Sequence, residues 1–172
     1  MTQGAHFLIR SDMNTELIRQ SYRPASVLFL LVGESPPASG KFFYVNSNMT
    51  VYTARAFEKA YGKSFASTQD FLDFFKKCGC YLDDLSHIPV DALSKGQRGK
   101  CLRENIEGLA QRIHEVCPQV IAIALRRIES YVRTAINKAG CSSKVFVLPF
   151  AGNGHQNKYI DQLSFILKEY LP

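Results

Sequence analysis

The sequence predicts an α/β fold, a mostly parallel sheet with helices on both faces. Two observations carry this. Val27 to Val32 and Val120 to Leu125 are apolar at every position, as in strands buried on both faces rather than on one. Between and after them, segments with helical spacing alternate with short extended ones, the order that a parallel sheet with crossover helices requires.

The elements follow in order. Asn14 is placed to cap a short helix through about Tyr22, with Leu17 and Ile18 as its apolar contacts, and Pro24 closes it before the first strand. In "NMTVYTARAFEKAYG", Val51, Ala54, Phe57 and Tyr61 share one helical face, and Gly62 is a C-terminal stop. Ser67 and Asp70 form a capping-box pattern for a second helix, which carries Phe71, Leu72 and Phe75 and ends at Gly79. "CYLDDLSHIPV" reads as a short strand running into a loop. "RENIEGLAQRIHEVCP" repeats Ile106, Leu109, Ile113 and Val116 at helical spacing until Pro118 breaks it. "IESYVRTAINKAG" is helical up to Gly140, "KVFVLPF" is a strand over about Lys144 to Phe150, and Asn157 to Tyr170 is a closing amphipathic helix. There is no internal repeat or low-complexity tract.

A chain of 172 residues suits one domain with a core that needs no metal or disulfide staple. No basic-then-apolar leader opens it, and its apolar runs are far shorter than the ~18 residues of a membrane span, so a soluble, cytoplasmic protein is expected. Cys78, Cys80, Cys101, Cys117 and Cys141 are odd in number and irregular in spacing, which predicts reduced thiols acting as core filler, with no metal site. The formal net charge is +6 and the sequence pI about 9.1. "SKGQRGKCLRE", read as a basic loop, brings Lys95, Arg98, Lys100 and Arg103 together. That surplus favours phosphate-bearing partners.

In parallel sheets ligands bind beyond the carboxyl ends of the strands. Three such loops carry chemistry. "GESPPASGKFFYVNSN" delivers Glu34 and the aromatics Phe42, Phe43 and Tyr44. The second loop holds Asp83, Asp84 and His87, and "PFAGNGHQNK" holds Asn153 and His155 among Gly152 and Gly154. Each has an ordinary structural alternative: Glu34 bonding loop amides, Phe42 and Phe43 packing in the core, Asp83 and Asp84 in a solvated turn, Asn153 in a left-handed turn and His155 at a helix cap. "GESPPASGK" is not a phosphate-cradling loop, because six residues lie between its glycines rather than four.

Strand-"GESPP"-"GKFFY", "CYLDDL", the helix-Pro-"VIAIAL" unit and strand-"LPFAGNGH" together resemble the uracil-DNA glycosylase superfamily. The resemblance covers roughly residues 26 to 170 and is nearest the branch whose first motif reads Gly-Glu-Ala-Pro-Gly. It implies a three-layer α/β/α sandwich on a four-stranded sheet, residues 1–25 forming an N-terminal helical extension. It also implies a monomeric base-excision hydrolase that flips a damaged or deaminated DNA base into a pocket and cuts its bond to deoxyribose. Glu34 matches the carboxylate that positions water or offsets charge on the sugar, and Phe43, with Phe42 beside it, the ring that stacks on the base. The last loop matches a His-Pro-Ser motif whose histidine stabilises the departing base; here "AGNGH" offers Asn153 or His155 in its place. Lys41, Lys95, Arg98, Lys100 and Lys158 are the candidate phosphate contacts. No cysteine precedes Cys78, so the iron–sulfur cluster of that branch is not expected, and no other cofactor is.

Where many relatives place an asparagine to read uracil, this chain has "LDD". An ionised Asp83 or Asp84 accepts only, so facing the pocket it would disfavour uracil's O4 and prefer a base that exposes an amino donor. Two other classes of function fit the same residues: a nucleic-acid-binding module that does not hydrolyse, and a site for a free nucleoside or another planar ligand.

Overall fold

The computed structural model describes residues 14–172. Helical residues 14–21 (α1) precede β1 (Phe29–Gly33), a 3-10 turn at Phe43–Val45, α2 (Asn48–Tyr61), α3 (Thr68–Lys77) and β2 (Cys80–Asp84). The chain continues through α4 (Lys95–Glu104), α5 (Ile106–Val116), β3 (Val120–Ile123), a second 3-10 turn at Arg126–Ile128, α6 (Glu129–Ala139), β4 (Lys144–Val147) and α7 (Gln156–Tyr170). Of the expected N-terminal extension, residues 1–13 lie outside the described residues.

The four strands form one sheet in the order β2-β1-β3-β4, all parallel. Leu31 lies opposite both Leu82 and Ala122, and Gly33 opposite Asp84. Every residue of β1, β2 and β3 is buried, which accounts for the absence of polar alternation in β1 and β3. Right-handed crossovers from β1 to β2 and from β2 to β3 run in opposite directions along the sheet, so their helices fall on opposite faces. The packing agrees: α2 contacts α3 and α7, while α5 contacts α4 and α6. β1 and β3 are therefore neighbours whose outgoing connections turn to opposite faces, and a crevice opens between their carboxyl ends. Among the described residues no helix is long and apolar enough to cross a membrane.

Local signals explain most boundaries. Ser47 caps α2 reciprocally with Thr50, and Gly62 ends the helix at φ 61°. Ser67 caps α3 by accepting from the Asp70 amide, and Gly140 ends α6 at φ 70°. Four expectations need correction. The buried face of α2 runs through Thr50, Thr53, Ala56 and Phe57, while Val51 lies exposed. The threonines go inside because their hydroxyls are satisfied there: Thr50 donates to the Phe43 carbonyl, and Thr53 bonds Met49 O at 2.7 Å and Tyr159 Oη at 2.8 Å. Leu17 is not an apolar contact of α1, being 70% exposed.

The basic stretch from Lys95 is a helix and not a loop. Ser94 Oγ accepts from the Gln97 amide while Gln97 Oε1 accepts from the Ser94 amide. This reciprocal cap offsets Gly96 and Gly99, each of which costs a helix ~1 kcal/mol. Finally, Cys117 and Cys141 form a disulfide with Cα atoms 5.6 Å apart, leaving Cys78, Cys80 and Cys101 as thiols. As the crossover helices before β3 and β4, α5 and α6 run in the same direction, so the residues just past their last turns meet although 24 positions separate them.

Candidate functional site

Gly33 closes β1 directly opposite Asp84, the last residue of β2. A Cβ on Gly33 would overlap Asp84 Oδ1, so the glycine is what admits that carboxylate between the strand ends. The ladder continues one step into the loops, with the Leu85 amide bonding Gly33 O and the Ser86 amide bonding Glu34 O, each at 2.9 Å. Glu34 is thereby held by its own backbone at the mouth of the crevice, and its residue is 7% exposed.

Two arginines from different elements grip the Glu34 carboxylate. Arg98 of α4 donates from Nε to Oε1 at 2.8 Å and from Nη2 to Oε2, and Arg127, just past β3, donates from Nη2 to the same Oε2. A carboxylate has about four acceptor positions, so three are filled and one remains on Oε1. The guanidiniums differ in freedom: the Arg98 side chain is 25% exposed and that of Arg127 is 59% exposed. Glu34 lines a cavity of about 320 Å³ whose wall includes Phe42, Phe43, Met49, Leu82, Asp84 and Phe150.

The aromatic loop is anchored to the sheet. Tyr44 Oη accepts from the Leu82 amide at 2.7 Å and donates to the Leu82 carbonyl at 3.0 Å, covering backbone groups on the free edge of β2. Phe43 stands edge-on to Tyr44 and Phe71 and packs against Phe75, so it belongs to the core as well as to the cavity wall.

The two aspartates of "LDD" point to different surroundings. Asp84 is buried at the cavity, and its Oδ2 accepts from Arg19 Nη2 of α1 at 2.9 Å. Burial raises its pKa, with the neighbouring Asp83 charge adding to the rise and Arg19 only partly opposing it. Asp83 lies away from the cavity, accepting from Arg112 Nε at 2.6 Å and lying 2.7 Å from His87 Nε2. Burial alone would raise its pKa, but the His87 hydrogen bond and the charges of Arg112, His87 and Arg19 outweigh it and hold the carboxyl well below the usual range.

Asn153 and His155 do not share the Glu34 cavity. They line an adjoining one of about 480 Å³, together with Arg126, Arg127, Lys158 and Phe150. Leu125, Arg127 and Phe150 belong to both walls. Asn153 sits at φ 52°, the left-handed turn position, and Gly152 lets the Phe150 ring fold back over the loop, where a Cβ would lie 2.6 Å from its Cε1. Lys41 is exposed at the rim of the Glu34 cavity. Lys95 and Lys100 are exposed on α4, the latter 3.8 Å from Glu104, and Arg98 is committed to Glu34.

Sequence reasoning passed over Arg126, Arg127 and Phe150. The signal was there for the arginines, since "RR" directly follows a buried strand just as Glu34 follows β1. Among the described residues no group of three or more His, Cys, Asp or Glu side chains is arranged to hold a metal ion. In comparisons with known proteins, no family model matches the chain and no curated protein matches its sequence.

Proposed function

We propose that the protein is a uracil-DNA glycosylase-like N-glycosidase, which takes a damaged or deaminated base, flipped from DNA, into the Glu34 cavity and hydrolyses its bond to deoxyribose. The observation that supports this best is Glu34 at the crevice between β1 and β3, facing a cavity walled by Phe42, Phe43 and Phe150 with the Asp84 carboxylate across from it. Ligands favour that crevice in sheets of this connectivity, and flat apolar walls favour a planar ring.

The chemistry follows from what Glu34 retains. The glycosidic C–N bond breaks with its electron pair passing to the base nitrogen, leaving positive charge on the sugar. Water adds at C1′ and its proton ends on the departed base. The free Oε1 position of Glu34 can orient water, and its negative charge opposes the charge developing on the sugar. Asp84, ionised, accepts only and selects a base with an amino donor.

The test is base release from oligonucleotides that each carry one lesion, amino-bearing ones such as 3-methyladenine and 8-oxoguanine beside amino-free ones such as uracil, hypoxanthine or xanthine, using wild type and Glu34→Gln. Release that falls at least tenfold in the variant, ~1.4 kcal/mol of barrier, supports hydrolysis at Glu34. The arginine grip favours a second reading, in which the cavity binds nucleic acid or a nucleoside without cutting it. Salt-sensitive DNA binding with no release from any lesion would select that reading.

A further inference from the structure

The cavity beside the Glu34 site has a composition that the base cavity lacks. Arg126, Arg127 and Lys158 line it with His155 and Asn153, and no carboxylate does. Neither Arg126 nor Lys158 is engaged in an ion pair with any acidic side chain among the described residues. The buried or half-buried cations around the neighbouring site are matched, Arg19 and Arg112 by the two aspartates and Arg98 by Glu34. Two further features add positive potential. The N-cap and first turn of α7 supply His155 and Lys158 to the wall, and no side chain caps that helix. Arg127 stands in both walls, so a group bound here would lie next to whatever occupies the Glu34 cavity.

We propose that this second cavity holds a terminal nucleotide phosphate, so that the two cavities together accept one whole nucleotide end rather than a base alone. A phosphomonoester carries nearly two negative charges near neutral pH, whereas an internal phosphodiester carries one. Arg126 and Lys158, which have no acidic partner, and Arg127, shared with Glu34, line a cavity with no carboxylate in its wall, and this match favours the dianion. Arg127 then has two anionic partners, Glu34 and the phosphate. A bound phosphate draws its guanidinium off Oε2 and returns an acceptor position to Glu34.

The phosphomonoester could be that of a free nucleotide or of a strand end. The placement of the base rests on the function proposed above, whereas the phosphate site does not. The experiment is calorimetric titration of wild type and an Arg126→Ala, Lys158→Ala double variant. Its probes are the four 2′-deoxynucleosides, their 5′-monophosphates, and a short oligonucleotide with and without a 5′-phosphate. Both substituted side chains are exposed, and an unchanged melting temperature establishes that the variant is folded.

The expected result is that at least one monophosphate, or the phosphorylated oligonucleotide, binds tenfold or more tightly than its unphosphorylated form, and that the double variant abolishes the difference. A monophosphate that binds alone assigns the free nucleotide; a preference confined to the oligonucleotide assigns the strand end. Equal binding with and without the phosphate, or a preference that survives in the double variant, overturns the proposal. A phosphate preference without base release sinks only the glycosidase reading. Base release indifferent to the 5′-phosphate and to the double variant sinks only the phosphate site.

Discussion

Arg19 and Asp84, 65 positions apart, meet in the interior: Nη2 donates to Oδ2 at 2.9 Å, and the guanidinium carbon lies 6.0 Å from the centre of the Phe42 ring. Arg19 is 1% exposed. It also bonds Glu16 at 2.6 Å, and its Nε stands 3.8 Å from Asp83 Oδ1. This one side chain ties α1 to the end of β2, and it stands between two buried carboxylates, Asp84 at the cavity and Asp83 on the other side of the strand, that would otherwise repel each other.

Removing that cation should cost more than any surface charge change. Arg19→Met keeps much of the apolar stem but leaves Asp84 buried without its charged partner, the situation that costs about 3–5 kcal/mol in buried ion pairs. Urea denaturation should show a midpoint lowered accordingly. A loss under 1 kcal/mol would mean that α1 contributes little to holding the strand end.

Asp83 predicts an acid-sensitive stability. Its folded pKa is depressed, so between that value and the unfolded value of ~3.9 the unfolded chain binds more protons, and stability rises with pH. The contribution is fully present above about pH 4 and is lost as pH falls towards the folded value. Asp84 runs the other way: its raised pKa makes stability decline as pH climbs through and beyond ~3.9. Asp83→Asn should therefore flatten the acid limb of a denaturation-versus-pH profile, and Asp84→Asn should steepen it.

The same pair shows what sequence could and could not convey. Buried strands, helix caps and their order were legible because each is written locally, as an apolar run or as Ser67 three residues before Asp70. The positions of Glu34 and Asp84 at strand ends followed from that order. Their partners did not, since nothing near Glu34 names Arg98 or Arg127, and nothing near Asp84 names Arg19. The buried face of α2 was misread for a related reason: Thr50 and Thr53 count as polar until Phe43 and Tyr159 arrive to satisfy their hydroxyls. The Cys117–Cys141 bond depends on two helices running side by side, which spacing does not encode.

Gly33 is predicted to tolerate no side chain. In Gly33→Ala the new methyl meets Asp84 Oδ1 at a strand pair already in register, and overpacking of this kind costs about 1–3 kcal/mol. A double-mutant cycle with Asp84→Ala separates the causes. If the clash is responsible, adding Gly33→Ala to Asp84→Ala should cost markedly less than adding it to wild type.

The disulfide makes a prediction that needs no assumption about function. Under denaturing, non-reducing conditions a thiol titration should count three free cysteines, Cys78, Cys80 and Cys101, and five after reduction. Because the bridge joins residues 24 positions apart, its loss should lower stability by about 3 kcal/mol if it acts by restricting the unfolded chain. Denaturation with and without reductant measures that figure, and Cys117→Ser should match the reduced wild type and show no further response to reductant. Five thiols in the unreduced protein would instead place Cys117 and Cys141 among the apolar fillers at the ends of α5 and α6. The melting curve would then be indifferent to reductant.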